Sequence, residues 1–196
     1  MHHLSRRTLL TLSATAALGL LPNRQAFAAS ADAVWQALAA PGAIGLLRHA
    51  LAPGTGDPAN FVLGDCSTQR NLNDTGRAQA RAIGAAIRER DIAMDRVLSS
   101  QWCRCLDTAE LLDLGPVEPL PALNSFFGNR SRGPAQTRQT LAFLHDLPRE
   151  QRVMLVTHQV NITALTGQGV ASGELFVAHR RDDGSLEVQG SVRVRP

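Results

Sequence analysis

The stretch Ile44-Gly45-Leu46-Leu47-Arg48-His49 decides the fold of this chain, because a short apolar run ends directly in two polar side chains. An apolar run of this length predicts a strand that is buried on both faces of a sheet. In sheets with parallel strands, reactive groups collect just beyond the carboxyl ends of the strands. Arg48 and His49 are therefore the first candidates for a functional site.

Two other predicted strands end in the same way. Arg96–Ser99 is followed by Ser100 and, in the next predicted helix, by Arg104. Val153–Thr157 leads directly into His158. Because the carboxyl ends of parallel strands meet at one edge of a sheet, we expect these side chains to lie beside the arginine–histidine pair of the first strand.

Helices alternate with strands along the rest of the chain, which predicts a three-layer α/β/α fold with a largely parallel central sheet. A strand at 117–123 contains two prolines, which place it at an edge of the sheet. We expect Ser99 or Ser100 to cap the helix that begins at Gln101. The other predicted elements are helices at 31–38, 73–90, 101–112, 136–147 and 161–165, and strands at 174–178 and 186–194 joined by an Asp183-Gly184 hairpin turn.

The polar residues at the strand ends suit the chemistry of phosphate esters. A phosphate monoester is a dianion, and the planar guanidinium of an arginine binds two of its oxygens at once. Arg48 and Arg104 provide two such groups. His49 offers a neutral ring nitrogen for in-line attack on phosphorus, and His158 can donate a hydrogen bond to a phosphoryl oxygen. Because these groups neutralise the phosphoryl group themselves, we expect neither a metal nor another cofactor.

Four segments carry a resemblance to a known family, and they occur in the family's order. They are Leu47-Arg48-His49-Ala50, Gly76-Arg77-Ala78-Gln79-Ala80 within 72–80, Ser99-Ser100 with Arg104 and Thr108-Ala109 within 97–110, and Val156-Thr157-His158. The set resembles the signatures of the histidine phosphatase (phosphoglycerate mutase-like) superfamily. The resemblance implies a metal-independent mechanism and a three-layer α/β/α fold. It also implies His49 as the nucleophile, with a phosphate pocket completed by Arg48, Arg104 and His158.

The chain departs from the family pattern at the position of the proton donor. The phosphoglycerate mutase branch carries a glutamate after the third strand, where this chain has Ser125. A general acid typically contributes about 10²–10⁴-fold, so its loss favours good leaving groups, as in acyl phosphates, phosphohistidine and aryl phosphates. Asp65 on the long loop is a candidate substitute. Arg70 on that loop either approaches the pocket or, as we expect, is exposed. Ala50 replaces the usual glycine, and Gln159 argues against the acid phosphatase branch.

Residues 1–28 are predicted to be an export signal and residues 29–196 the histidine phosphatase domain. Ser5-Arg6-Arg7 precedes an apolar run at 8–21, and Ala26-Phe27-Ala28 provides a cleavage site of small residues. Adjacent arginines are typical of the twin-arginine (Tat) pathway, and an ordinary Sec signal is the alternative. The apolar run, about 14 residues, is too short to span a hydrocarbon core of about 30 Å comfortably. We expect a periplasmic or secreted protein that uses the Tat machinery and has no stable membrane insertion after cleavage.

The three cysteines leave several arrangements open. Cys103 and Cys105 lie two residues apart and point in different directions on a helix, so they are poor partners for each other. Cys66 is able to bridge to either of them in an oxidising compartment, and free buried thiols are the alternative. A metal site built from the three is weakly supported, because the spacing of known zinc motifs is missing.

The composition argues against a nucleic-acid partner. The net charge is only +3, tyrosine is absent and aromatic residues make up 4% of the chain, which leaves little for a base-stacking platform. We therefore expect a small phosphorylated substrate. The sequence predicts an exported phosphatase, a phosphoric monoester hydrolase that works through a phosphohistidine on His49. The alternative is a catalytically weak or inactive protein of the same fold that binds a phosphorylated ligand.

Overall fold

A computed structural model describes residues 30–195 of the protein, and these residues contain a six-stranded sheet. The strands are β1 (Ile44–Arg48), β2 (Arg96–Ser99), β3 (Val117–Pro119), β4 (Val153–Thr157), β5 (Glu174–Arg180) and β6 (Leu186–Arg193). Their order across the sheet is β3-β2-β4-β1-β5-β6. Strands β1 to β4 are parallel, whereas β5 and β6 run antiparallel to their neighbours. The predicted export signal lies outside the described residues.

Helices cover both faces of the sheet. They are α1 (Ala31–Ala39), α2 (Asp74–Arg88), α3 (Cys103–Leu112), α4 (Gly133–Asp146) and α5 (Gln159–Thr166). Successive residues of β1 mark the two layers, since Leu47 packs in a core cluster with α1, α2 and α3, and Leu46 in a second cluster with α4 and α5. The predicted three-layer α/β/α fold with a largely parallel sheet is confirmed. None of the helices within residues 30–195 is long and apolar enough to cross a membrane.

The central pair of strands places the predicted site residues side by side. β1 and β4 are parallel, with Arg48 opposite Thr157. The chain continues past both strands, and the N–H of His49 donates to the carbonyl oxygen of Thr157 at 3.0 Å. β2 lies on the other side of β4 and ends at Ser99, opposite Val156. Three strands therefore present their carboxyl ends at one edge of the sheet.

The start of α3 differs from the sequence prediction. α3 begins at Cys103 rather than at Gln101, and the N–H of Cys103 donates to the side-chain oxygen of Gln69 at 3.0 Å, so the predicted cap by Ser99 or Ser100 is wrong. The hydroxyl of Ser100 is buried and lies 2.8 Å from Nε2 of the His158 ring. It also accepts from the N–H of Trp102 at 3.3 Å, one residue before the helix, and reaches no N–H of α3 itself.

Prolines account for two other shifted boundaries. β3 covers only Val117–Pro119, and Pro121–Leu123 forms a 3-10 helix instead of continuing the strand. Proline has no N–H for a sheet but fits the first turn of a helix. The same property lets α4 begin at Gly133, with Pro134 in its first turn, three residues before the predicted start. The predicted position of β3 at an edge of the sheet is confirmed.

Helices α2 and α3 approach each other closely because a glycine lies at their contact. A Cβ added at Gly84 would lie 1.9 Å from the carbonyl oxygen of Leu112, so only glycine fits there. Asn73 caps α2 at the predicted start of the helix, since its side chain accepts from the N–H of Gly76 at 2.8 Å. This packing holds α3, whose first turn carries Arg104, against the sheet.

Candidate active site

A cavity of about 570 Å³ opens at the carboxyl edge of the sheet. All four predicted site residues line it: Arg48, His49, Arg104 and His158. Arg48 ends β1 and His49 follows it, Arg104 lies in the first turn of α3, and His158 separates β4 from α5. Residues that are remote in the sequence therefore meet because their strands are neighbours in the sheet.

The ring of His49 is buried and held in one orientation. Its Nδ1 lies 2.8 Å from the carbonyl oxygen of Ala50. A carbonyl oxygen only accepts, so Nδ1 carries the proton and Nε2 keeps its lone pair. Burial and the nearby charge of Arg104 lower the pKa of His49 to about 3. The ring is therefore neutral at physiological pH, with an unprotonated Nε2 available as a nucleophile.

Ala50 takes the place of the usual glycine without strain. Among the non-glycine residues at 30–195, positive φ angles occur at Asp91 and Asp113 and not at Ala50. The Ala50 side chain is fully buried, and its N–H donates to the hydroxyl of Thr108 at 3.1 Å. This departure from the family pattern therefore leaves the orientation of the neighbouring His49 intact.

Arg104 is a buried cation in direct contact with His49. Its Nε–H donates to Nε2 of His49 at 3.3 Å. Its two terminal nitrogens, Nη1 and Nη2, donate to the two carboxylate oxygens of Asp57 at 2.6 and 3.1 Å. Nη1 also donates to the carbonyl oxygen of Arg70 at 3.3 Å. One edge of the guanidinium thus faces His49, while its end is bound by a carboxylate.

Three further arginines line the cavity: Arg48, Arg70 and the exposed Arg132. Arg48 donates from Nη1 to the carbonyl oxygen of Val170 at 2.9 Å, and its buried Nε–H has no partner among the described residues. A bound oxyanion is a group that can satisfy such a donor. Arg70 was interpreted from the sequence as exposed, and that interpretation is wrong. Its side chain bonds the carbonyl oxygens of Gly56 and Ala52, which turns the loop inward and brings the arginine to the cavity.

His158 completes the set as a neutral hydrogen-bonding group. Its ring is buried, and the ring centroids of His158 and His49 are 5.5 Å apart. The Nε2 atom lies 2.8 Å from the hydroxyl of Ser100 and 3.4 Å from the thiol of Cys105. Burial and the adjacent His49 and Arg104 hold the pKa of His158 well below its ordinary value. The protonated, charged form of the His158 ring is therefore disfavoured in the free protein.

The only carboxylate among the described residues of the cavity wall is Asp57, which the sequence reasoning missed. Burial raises the pKa of the Asp57 carboxyl, but the hydrogen bonds and the charge of Arg104 outweigh burial and leave the pKa below its ordinary value. Asp65, the candidate proton donor, is exposed and outside the cavity wall, where its carboxylate accepts from Ser67. Ser125 does line the cavity, so a hydroxyl lies near the expected position of the glutamate.

The charge of the inner cavity suits a dianion. Arg48, Arg70 and Arg104 are the arginines whose charges act on His49, and Asp57 offsets one of these charges. The exposed Arg132 adds a fourth arginine to the cavity wall, and the positive excess suits the two negative charges of a phosphate monoester. Within residues 30–195, no cluster of three or more His, Cys, Asp or Glu side chains is arranged to hold a metal ion.

A disulfide joins the long loop to the helix of Arg104. Cys66 is bonded to Cys103, the first residue of α3, and Cys105 is a buried free thiol. Of the arrangements that the sequence left open, the structure has the one in which Cys66 pairs with the nearer cysteine. Burial raises the pKa of the Cys105 thiol to about 12, so this thiol stays protonated and unreactive beside His158.

The fold brings paired arginines and histidines into one cavity of an α/β protein. The family model of the histidine phosphatase superfamily (branch 1) matches residues 44–135, which include His49, Asp57 and Arg104. Over these residues the chain matches the superfamily, and the resemblance predicted from its motifs is confirmed. No curated protein matches this chain significantly in sequence.

Solved structures of phosphatases share the fold. The protein histidine phosphatase SixA, complexed with tungstate, has a TM-score of 0.57 and 18% identity, over 77% of this chain and 96% of that one. The α-ribazole phosphatase of Shigella flexneri has a TM-score of 0.54 and 16% identity, over 79% and 96%. Mycobacterial glucosyl-3-phosphoglycerate phosphatase, complexed with VO3, has a TM-score of 0.57 and 16% identity, over 74% and 96%. At these identities the likeness establishes the fold.

Proposed function

We propose that this protein is an exported phosphatase that hydrolyses phosphate monoesters through a phosphohistidine on His49. One observation carries the proposal: the bond from Nδ1 of His49 to the carbonyl oxygen of Ala50 leaves Nε2 unprotonated, where it accepts from the Nε–H of Arg104. A neutral imidazole nitrogen within a cationic cavity is the arrangement that attack on a phosphate dianion requires.

The proposed reaction has two steps. In the first, Nε2 of His49 attacks phosphorus while Arg48 and Arg104 bind the phosphoryl oxygens, and the bond from phosphorus to the leaving oxygen breaks. The hydrogen bond from Nδ1 to Ala50 stabilises the positive charge that develops on the ring. In the second step water attacks phosphorus, the bond from phosphorus to Nε2 breaks, and inorganic phosphate leaves. His158 donates to the phosphoryl group in both steps.

The cavity favours substrates whose leaving group departs without a strong acid. Ser125 takes the place of the family glutamate, and the carboxylate of Asp57 is bound to Arg104 and ionised. A missing general acid costs about 10²–10⁴-fold when the leaving group is a poor one. We therefore propose aryl phosphates, acyl phosphates or phosphohistidine as the preferred substrate classes, ahead of alkyl phosphates.

The ion pair between Asp57 and Arg104 also supports a second candidate function. A cavity whose carboxylate is tied to an arginine can bind a phosphorylated ligand and turn it over slowly or not at all. A binding protein of this kind would be stabilised by phosphate without releasing any from an ester. The two candidates therefore differ in turnover and not in binding.

Export is supported by the sequence and by the cysteines. The twin-arginine motif Ser5-Arg6-Arg7 and the small residues Ala26-Phe27-Ala28 fit a cleaved Tat signal. The disulfide between Cys66 and Cys103 fits an oxidising compartment, because disulfides persist there and are rare in the cytosol. We propose a periplasmic or secreted location, reached through the Tat machinery.

The test is hydrolysis of para-nitrophenyl phosphate by the purified protein in excess EDTA. We expect steady release of nitrophenol, and its loss in His49→Ala. Asp65→Asn is the matched control, because it removes a carboxylate outside the cavity and is expected to leave the rate unchanged. A folded protein without turnover, whose melting temperature rises with added phosphate, would favour the binding function instead.

A further inference from the structure

The hydrogen bonds of Arg104 to the loop leave the side edge of its guanidinium turned toward His49. Arginine has five N–H groups in a planar fork. Nη1 uses both of its hydrogens, on Asp57 Oδ1 and on the carbonyl oxygen of Arg70, and Nη2 uses one on Asp57 Oδ2. The remaining two donors are Nε–H and the second hydrogen of Nη2. They share the side edge of the guanidinium, the edge whose Nε–H points at Nε2 of His49.

Asp57 is itself held by donors from two other elements. The indole Nε1–H of Trp102, next to α3, donates to Oδ2 at 3.0 Å. The backbone N–H of Arg70 donates to Oδ1 at 3.3 Å. The side chain of Asp57 is 17% exposed and that of Arg104 is 3% exposed, so little solvent screens the pair. The carboxylate is therefore fixed independently of Arg104 and can in turn fix the arginine.

The loop between β1 and α2, residues 49–73, is tied down on both sides of Asp57. The disulfide from Cys66 attaches it to Cys103, the residue before Arg104. The side chain of Arg70 bonds the carbonyl oxygen of Gly56 at 2.8 Å, one residue before Asp57. The position of the carboxylate relative to α3 is thus set by covalent and hydrogen-bonded connections within the loop.

We infer that Asp57 is a positioning residue for phosphoryl transfer: it occupies the end of the Arg104 guanidinium so that the side edge faces the phosphorus bound at His49. The inference rests on the proposed phosphatase function and deepens it. Side-on donation from Nε and Nη2 places two parallel hydrogen bonds on adjacent phosphoryl oxygens. Without the carboxylate, the end of the guanidinium is the fork most open to a bound phosphate.

The Asp57 carboxylate also weakens the binding of phosphate. This effect distinguishes a positioning role from general structural support, which would not oppose phosphate binding. An anion next to Arg104 repels a phosphate dianion, and removing it leaves Arg48, Arg70 and Arg104 without a compensating carboxylate. Affinity for phosphate should therefore rise when Asp57 loses its charge. Turnover should fall at the same time, because a misplacement of about 1 Å in a positioning group costs about 10²-fold.

The experiment compares Asp57→Asn, Asp57→Glu and the control Asp65→Asn with the wild-type protein. For Asp57→Asn we expect inorganic phosphate to bind at least about threefold more tightly, given the strength of unit charges at close range. We expect kcat for para-nitrophenyl phosphate to fall about 10²-fold. Asp57→Glu keeps the charge, so its phosphate affinity stays near that of the wild type and part of kcat returns. Asp65→Asn changes neither quantity.

Substrates with different leaving groups separate positioning from proton donation. Phenyl phosphate has a more basic leaving group than para-nitrophenyl phosphate, so loss of a general acid would slow it far more. A positioning residue acts on the phosphoryl group, and we expect the same fractional loss of kcat on both. A loss confined to phenyl phosphate would overturn the inference, as would an unchanged kcat in a folded Asp57→Asn protein.

Calorimetric binding of phosphate keeps the inference testable without turnover. Weaker binding in Asp57→Asn, together with a melting temperature near that of the wild type, would contradict the charge argument. If Asp57→Asn does not fold, the comparison of Asp57→Glu with the wild type decides. A folded Asp57→Glu protein that lacks both measurable kcat and wild-type affinity for phosphate would overturn the positioning role of Asp57. A wild-type protein that binds phosphate but hydrolyses no ester would refute the proposed function. The phosphate affinities of the wild type and of Asp57→Asn would still test the effect of Asp57 on the Arg104 site.

Discussion

Removing the Cys66–Cys103 disulfide is expected to destabilise the protein substantially and to loosen its phosphate cavity. The two cysteines are 37 residues apart in sequence. Closing a loop of that length removes about 13 cal/mol/K of entropy from the unfolded chain, equivalent to about 4 kcal/mol at 25 °C. For a protein of this size, 1 kcal/mol corresponds to about 2–4 °C, so the melting temperature should fall by about 10 °C. Loosening the loop frees Asp57 and Arg70 together, so the test of the disulfide is the stability of the protein and not its affinity for phosphate.

Urea unfolding of the wild type and of Cys66→Ser/Cys103→Ser, each with and without reductant, measures the effect. Reductant should bring the wild type to the level of the double variant and leave the double variant unchanged, which controls for effects on Cys105. Thiol titration of the denatured, unreduced wild type should find one free thiol. A stability difference below about 1 kcal/mol would refute the loop-entropy reasoning, since the expected value is about four times larger.

Three further predictions follow from burial, packing and the missing acid. Acid should destabilise the fold, because the pKa values of His49 and His158 are lower in the folded protein than in the unfolded chain. The contribution of the two neutral histidines to the free energy of unfolding is complete above about pH 6.5. Below that pH it falls by up to about 1.4 kcal/mol per histidine per pH unit. A free energy of unfolding that stays flat between pH 7 and pH 5 would contradict this. Gly84→Ala should cost about 1–3 kcal/mol in urea unfolding despite the helix propensity of alanine, since its Cβ would meet the Leu112 carbonyl oxygen. Gly169→Ala, with open space around the added Cβ, is the matched control, and equal costs would refute the packing argument. Finally, kcat/KM for para-nitrophenyl phosphate should exceed that for a simple alkyl phosphate by about 10²-fold or more, and comparable values would reveal an acid at the site.

The sheet was predictable because its signals are local. The apolar run of β1 and the polar pair after it lie within six residues, and β4 with His158 repeats the pattern. The start of α3 was not predictable in the same way, because the hydroxyl of Ser100 is close to the helix in sequence but bonds to His158 in space. A capping signal fails where tertiary contacts compete for the same group.

The loop between β1 and α2 contains Asp57, which the sequence reasoning missed, and Arg70, which it expected to be exposed. Asp57 and Arg70 lie in a stretch without hydrophobic periodicity, so nothing in the pattern places their side chains. The partner of Asp57 is Arg104, 47 residues further along the chain, and a contact over that distance depends on the loop path and the disulfide. The cysteine pairing was open for the same reason, because it depends on which residue of the first turn of α3 faces the loop.

The most direct test of the central claim is to trap the phosphoenzyme. The protein is mixed rapidly with excess para-nitrophenyl phosphate and quenched in alkaline denaturant, where phosphohistidine survives. The modified peptide is then identified by mass spectrometry. The proposed mechanism predicts one phosphoryl group on His49, formed at a rate no slower than turnover and absent in His49→Ala. Turnover without a phosphoenzyme, or a phosphoryl group on another residue, would contradict it.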